Sequence, residues 1–342
     1  MRAFSCDNCG QLVFFENSLC LRCSRALGFV PDRLEMVVFD PSGDDGLRPC
    51  ANATLAECNW LLAANDRGSL CLSCGLTRTR PADADAAGLA AFAKAEAAKR
   101  RLIFQLLDLR LPIGGELTFD LLSSYTGPVV TGHDQGVITI DLAESNDARR
   151  EQRRAELGEA YRTMLGHFRH EISHYYWPLL VEQAGQLTAW RELFGDEREN
   201  YERAIQRHYE LGPPADWSER HVSAYATMHP WEDWAETFAH YLHIRDSLQT
   251  ASEFGLMVAG PVATDDDSLA ALPPADTGEQ PFDAVIEAWL PLTYALNAVN
   301  RSMGRDDLYP FTLAPAVIAK LAFVHHCVRS RTSAIADITR AY

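Results

Sequence analysis

The residues best suited to chemistry are two histidines with a glutamate between them. His170, Glu171 and His174 form an HExxH motif inside the most regular helical pattern of the sequence. Histidines four positions apart lie on the same face of a helix, where both imidazoles can bind one zinc ion. The glutamate beside them can accept a proton from water. The motif therefore predicts a zinc site that hydrolyses an amide bond.

A catalytic zinc ion also needs a third protein ligand and one open position. Glu232 and Glu236 are the candidates, because they lie one turn apart on a second predicted helix that is rich in aromatic residues. One carboxylate can bind the metal while the other accepts a hydrogen bond from a ligand histidine. The residue pattern leaves open which of the two has which role. His229, which precedes a proline at the start of this helix, is not predicted to be a ligand.

Eight of the nine cysteines fall in two groups of four near the start of the chain. The first group has the spacing of a zinc ribbon, with two Cys-x-x-Cys pairs: Cys6, Cys9, Cys20 and Cys23. The second group contains one such pair: Cys50, Cys58, Cys71 and Cys74. Without a secretion signal, clustered cysteines indicate metal ligands rather than disulfides. We therefore expect two structural Zn²⁺ ions and one catalytic Zn²⁺ ion.

Hydrophobic periodicity predicts the elements that position these residues. Apolar residues three or four positions apart predict a helix from Leu157 that Pro178 should end or kink. Its apolar stripe places the two motif histidines on the opposite face. A second helix is predicted over about 231–245, and two more near 282–303 and 315–331. Strands are predicted at Leu117–Leu122 and Val137–Leu142, the latter as a sheet edge that aligns an extended peptide.

The overall composition excludes several kinds of partner. The 342 residues include 31 basic and 47 acidic ones, which gives a formal net charge of −16. Nucleic acids and anionic membranes bind basic surfaces, so neither is expected as a partner. Neither a signal peptide nor an apolar run long enough for a bilayer is visible, so we expect a cytoplasmic protein. The cysteine-rich segment is not basic either, which favours a structural role or docking of a protein partner there.

Two runs of sequence resemble a known family. They extend over residues 166–177, around the HExxH motif, and over residues 229–242, around the two carboxylates. Together with the cysteine groups and Asp307–Phe311, they resemble the bacterial "putative zinc-binding metallopeptidases" with an N-terminal zinc-ribbon domain. The resemblance implies zinc as the cofactor and peptide hydrolysis as the activity. Ser173 is one difference, since the family more often has glycine there.

A second resemblance concerns the site alone. In gluzincin metallopeptidases of the lethal-factor type, a tyrosine precedes the zinc-binding glutamate by seven residues, and another glutamate follows it by four. Tyr225, Glu232 and Glu236 have the same spacing. The resemblance implies that Glu232 is the third zinc ligand and that Glu236 supports a ligand histidine. It also implies that Tyr225 stabilises the oxyanion.

These interpretations predict an α+β protein with three segments. Residues 1–80 form a double zinc ribbon, residues 81–111 an alanine-rich linking helix, and residues 112–342 a mostly helical, zincin-like metallopeptidase domain with a small sheet. The predicted enzyme hydrolyses a peptide or protein substrate, with Glu171 as general base. Two alternatives are a catalytically silent, zinc-stabilised adaptor and a zinc hydrolase of small amides. The complete set of ligands, base and oxyanion donor argues against the adaptor.

Overall fold

The computed structural model describes residues 2–42, 46–124, 127–146, 163–259, 270–271 and 280–340. The described chain forms two compact units, one with the residues up to 146 and Thr163–Phe168, the other with the residues from Arg169 onward. The α+β class is confirmed: two four-cysteine sites come first and a mostly helical part follows. The domain boundaries at 80 and 111 stay predictions.

Short hairpins build the cysteine-rich part of the first unit. Three antiparallel pairs form it: β1 (Phe4–Ser5) with β2 (Leu12–Val13), β3 (Leu27–Val30) with β4 (Glu35–Val38), and β5 (Leu47–Pro49) with β6 (Leu61–Ala63). Hairpins this short need a shared core. Five aromatic rings supply it, with neighbouring centroids 4.8 to 6.4 Å apart: Phe4, Phe15, Phe29, Trp60 and Phe104.

Two helices complete the first unit. The one-turn α1 (Leu72–Gly75) begins at Cys71, whose sulfur accepts a hydrogen bond from the Cys74 amide. The alanine-rich helix is α2 (Ala86–Asp108), capped at its start by the Asp85 side chain. Phe104 of the aromatic core lies on α2, so this helix packs within the first unit.

A mixed four-stranded sheet has the order β7 (Thr77–Thr79), β8 (Thr118–Leu122), β10 (Val137–Asp141) and β9 (Gly132–Asp134). Strand β10 pairs with β8 in parallel and with β9 in antiparallel orientation. The predicted edge position of Val137–Leu142 is therefore wrong, because β9 covers that side. The β9–β10 turn has positive φ at Gln135 (46°) and Gly136 (85°), as a type I′ turn requires.

Most of the second unit is helical. Its helices are α3 (Met164–Trp177), α4 (Leu187–Phe194), α5 (Tyr201–Leu211), α6 (Pro230–Glu253), α7 (Phe282–Ser302) and α8 (Pro315–Arg340). The first of them, α3, begins with residues that belong to the first unit. Strand β11 (Val258–Ala259) pairs with β12 (Ala270–Ala271) in antiparallel orientation. Pro178 ends α3 as predicted, and a π-helical turn, Pro178–Glu182, follows. Helices α4 and α5 were not predicted.

Some expectations concern residues outside the described ranges. The start of the predicted HExxH helix, including Leu157, lies there. Among the helices that the structure describes, none has the length and apolarity needed to cross a membrane.

Candidate active site

Helix α3 brings the two motif histidines together. Phe168 and Ile172 are fully buried on its apolar side. On the other side, the Nε2 atoms of His170 and His174 lie 3.3 Å apart. Ser173 fits the helix interior because its hydroxyl donates a 2.5 Å hydrogen bond to the carbonyl four residues earlier. The helix thus presents two imidazole nitrogens at one point.

Helix α6 begins where its sequence dictates. His229 is the N-cap and Pro230 occupies the first turn, where a missing N–H is tolerated. The His229 Nδ1 atom accepts from the Trp231 amide at 3.1 Å, so Nε2 carries the proton that is donated to the Glu199 carbonyl at 3.0 Å. Both nitrogens of His229 are thereby used within the protein. Glu232 follows in the first turn, where the helix dipole favours a carboxylate.

A buried tryptophan connects the two helices at the site. The Trp234 indole donates a 2.9 Å hydrogen bond to the carbonyl of Ser173, the residue that precedes His174. Trp234 itself is fully buried. The bond ties the first turns of α6 to the HExxH segment of α3, so the carboxylates of α6 are held against the histidines.

The two glutamates of α6 contact different atoms of the same histidine. Glu232 Oε2 lies 3.0 Å from His170 Nε2, and Glu232 Oε1 lies 3.7 Å from His174 Nε2. Glu236 Oε1 lies 2.8 Å from His170 Nδ1, on the far side of that ring. One donor atom each of His170, His174 and Glu232 lies within 4.8 Å of the others. Glu232 therefore lies beside the Nε2 atoms of both histidines. Glu236 instead contacts the Nδ1 atom on the opposite side of the His170 ring.

The charges around His170 make this point attractive to a cation. Burial disfavours the charged imidazole, but hydrogen bonds to Glu232 and Glu236 raise the pKa of His170 well above its ordinary value. Burial likewise opposes ionisation of Glu232, yet the charges of His174 and His170 hold its pKa well below its usual range. The buried carboxylate of Glu232 and the partly buried carboxylate of Glu236 thus face the imidazoles, and they favour positive charge between them.

The distances fit a tetrahedral zinc ion. Ligand nitrogens about 2.0–2.1 Å from zinc lie about 3.3–3.4 Å apart in a tetrahedron. The two histidine Nε2 atoms, at 3.3 Å, match that edge. A set of two histidines and one glutamate is also a zinc ligand set of known metallopeptidases, which keep the fourth position open.

The structure also places Tyr225 beside the histidines. Tyr225 begins a 3₁₀ turn, Tyr225–Thr227, and its ring centroid lies 6.0 Å from that of His170. Burial raises the pKa of the Tyr225 hydroxyl, so it keeps its proton and remains a hydrogen-bond donor. Glu171 is buried next to the two histidines, and it is close enough to Tyr201 to interact with it electrostatically.

Two further residues contact the site and were not predicted. The Tyr201 hydroxyl donates a 2.9 Å hydrogen bond to Glu232 Oε1, and Ser223 Oγ donates a 2.7 Å bond to Glu236 Oε2. The segment between α3 and α6 carries both. An Asn200 N-cap and Gly212 after the last turn could have revealed helix α5, but no local pattern indicates what Tyr201 contacts.

The two cysteine groups also have the geometry of zinc sites. A tetrahedron of sulfurs about 2.3 Å from zinc has edges of about 3.8 Å. The Sγ atoms of Cys6 and Cys23 lie 3.7 Å apart, and those of Cys9 and Cys20 lie 3.6 Å apart. In the second group Cys58 Sγ and Cys71 Sγ are separated by 3.7 Å, and all four cysteines are buried. None of these cysteines forms a disulfide.

We expect about three zinc ions per chain. Elemental analysis of protein purified without chelators measures the ratio directly. The His174→Ala variant should retain about two, because it loses only the histidine site. A wild-type value near one would contradict the double zinc ribbon, and equal values for the two proteins would contradict the histidine site.

A buried ion pair holds α6 against the last helix. Lys320 Nζ of α8 lies 2.6 Å from Asp233 Oδ2, and both side chains are almost fully buried. Lys320 also donates a 2.7 Å hydrogen bond to the carbonyl of Arg220. Burial raises the pKa of Asp233 to about 7 against the opposing effect of the lysine charge. Asp233 thus follows Glu232 in the sequence, but its carboxylate pairs with Lys320.

Comparison with known proteins matches two families along the chain. Residues 3–85 match a family described as "zinc-ribbon domain", and residues 88–327 match one described as "Putative zinc-binding metallo-peptidase". Uncharacterized proteins of Mycobacterium tuberculosis and Mycobacterium bovis are each 52% identical over 336 residues, which is 96% of this chain and 95% of theirs. No solved structure matches the chain. The chain therefore belongs to the putative zinc-binding metallo-peptidase family and carries the zinc-ribbon domain before it.

Proposed function

We propose that this protein is a gluzincin-like zinc peptidase whose active site lies between helices α3 and α6. The observation that carries the proposal is the convergence of His170 Nε2, His174 Nε2 and the Glu232 carboxylate within 4.8 Å of one another. Two imidazoles and one carboxylate would hold the zinc ion. Glu236, hydrogen-bonded to His170 Nδ1, would fix the ring orientation and keep Nε2 directed at the metal.

The other site residues supply proton transfer and charge stabilisation. A zinc ion bound there would polarise the scissile carbonyl and make a water molecule easier to deprotonate. Glu171 accepts the proton of the attacking water and later delivers it to the leaving amine. Tyr225, which keeps its proton, donates a hydrogen bond to the carbonyl oxygen as negative charge develops there. Glu171 and Tyr225 both lie beside the histidines, which supports these roles.

The proposal also includes a cytoplasmic location and a protein partner that docks on the zinc ribbons. Eight thiolate ligands are stable in a reducing compartment, which supports the cytoplasm as the place of action. Leu12, Phe14, Leu19 and Leu21 are exposed on the first ribbon, with Leu21 91% exposed, and such apolar residues support docking of a protein partner. The substrate would be a peptide or protein chain.

The proposal is tested by labelling new protein termini across the proteome of the host. Cells with the wild-type chain should contain new termini that cells with Glu171→Gln lack. Cells with Glu182→Gln, an exposed carboxylate outside the site, should resemble the wild type. Identical termini in the wild-type and Glu171→Gln samples, together with no cleavage of a peptide library by purified zinc-loaded protein, would contradict the peptidase and favour the adaptor.

A further inference from the structure

We propose that Tyr201 is a positioning residue that makes Glu232 bind zinc through a single oxygen. This inference rests on the proposed function, because it takes Glu232 as a metal ligand. Tyr201 belongs to helix α5, which no sequence pattern connected with the site. Its hydroxyl reaches the carboxylate of Glu232 across 31 positions of sequence.

The contacts of the Glu232 carboxylate differ at its two oxygens. Oε1 accepts the Tyr201 hydroxyl at 2.9 Å, whereas Oε2 lies 3.0 Å from His170 Nε2. Only 4% of the Glu232 side chain is exposed, so water does not compete freely for either atom. The tyrosine therefore donates its hydrogen bond to one oxygen, which lies 3.7 Å from His174 Nε2, and leaves the other oxygen directed at His170 Nε2.

The tyrosine ring is itself held in place. Its centroid lies 5.2 Å from that of His229 and 6.3 Å from that of Trp231, both at the start of α6. His229 also donates to the carbonyl of Glu199, two residues before Tyr201. The start of α5 is thus attached to the start of α6, the helix that carries Glu232. Because the ring packs on both neighbours, the hydroxyl has little freedom to leave the carboxylate.

A one-oxygen carboxylate matters for catalysis because a catalytic zinc site keeps one position open for water or substrate. A carboxylate that bound through both oxygens would occupy part of that space. A hydrogen bond to Oε1 stabilises the single-oxygen arrangement and fixes the direction of Oε2. Such support of a ligand by a neighbouring hydrogen bond contributes about 10- to 100-fold to metal affinity or activity in other zinc sites.

Tyr201→Phe tests this role, because it removes the hydroxyl and keeps the ring that packs on His229 and Trp231. Tyr209→Phe is the matched control, since Tyr209 lies on the same helix and is 65% exposed. Zinc-loaded full-length proteins are titrated with a chelator, and the ions retained are counted by native mass spectrometry. We expect the Tyr201→Phe protein to lose its third ion at about 10- to 100-fold lower chelator concentration. Tyr209→Phe should match the wild type.

Crystal structures of the zinc-loaded proteins provide a readout that a purely structural role would not change. In the wild type one Glu232 oxygen should lie about 2.0–2.2 Å from zinc, and the other should accept a hydrogen bond from the Tyr201 hydroxyl. In Tyr201→Phe both oxygens should approach the ion. If Tyr201→Phe had unchanged zinc affinity and Glu232 still bound through one oxygen, the inference would be overturned, and the proposed function would stand. A wild-type protein without a third zinc ion would overturn the proposed function and the inference with it.

Discussion

Replacing Glu171 by glutamine is expected to lower kcat about 100- to 10,000-fold while the fold and all three zinc ions remain. Glutamine has nearly the same shape as glutamate, so the buried position beside the histidines stays filled. The amide cannot accept the proton of the attacking water, however, and it cannot return that proton to the leaving amine. The loss should therefore appear in kcat and not in metal content.

Single-turnover cleavage of a peptide identified by terminal labelling measures this effect, with elemental analysis of the same samples. Glu182→Gln, which changes an exposed carboxylate after the end of α3, should retain wild-type rates. Loss of the third zinc ion in Glu171→Gln would mean that Glu171 is a ligand and not the base. A wild-type rate in that variant would remove Glu171 from the mechanism.

The second large expected effect is a difference in zinc affinity between variants of the two glutamates of α6. Glu232→Ala should empty the histidine site, because two imidazoles alone bind zinc weakly. Glu236→Ala should weaken zinc binding only about 10- to 100-fold, because it frees the His170 ring without removing a ligand. The 2.8 Å contact of Glu236 with Nδ1, the nitrogen that faces away from Glu232, is the reason for the difference.

Equilibrium dialysis against a series of buffered zinc concentrations distinguishes the two variants. Over an intermediate range, Glu236→Ala should hold part of its third ion while Glu232→Ala holds only the two ribbon ions. The reverse order would make Glu236 the ligand. It would also weaken the role given to Tyr225, because both assignments come from the same spacing.

Sequence patterns predicted those features that residues close together in the sequence determine. The HExxH spacing in a helix predicted that His170 and His174 would meet, and the described structure places their Nε2 atoms 3.3 Å apart. Proline at position 178 predicted the end of α3, because a proline ring cannot continue the helical hydrogen bonds. The clustering of cysteines in two groups of four predicted which sulfurs would approach one another.

Apart from the contacts of Glu232 and Glu236 with His170, the sequence patterns did not predict how distant segments meet. The short strand β9 was missed because its turn, Gln135-Gly136, differs from the Asn-Gly and Asp-Gly pairs that mark most such turns. Consequently β10 was taken as an edge. Tyr201 and Ser223 reach Glu232 and Glu236 only through packing of the segments that carry them, and periodicity contains no information about such contacts.

The ion pair between Lys320 and Asp233 sets a limit on how far the chain can be shortened from its C-terminal end. A truncated protein that ends before Lys320 would lose the charge that pairs with Asp233, a carboxyl group whose pKa burial already raises to about 7, and its ionised form would be destabilised. Asp233 directly follows Glu232, so the strain would fall on the first turn of α6. A minimal active fragment must therefore include α8 at least through Lys320, although that helix lies far along the chain from every proposed catalytic residue.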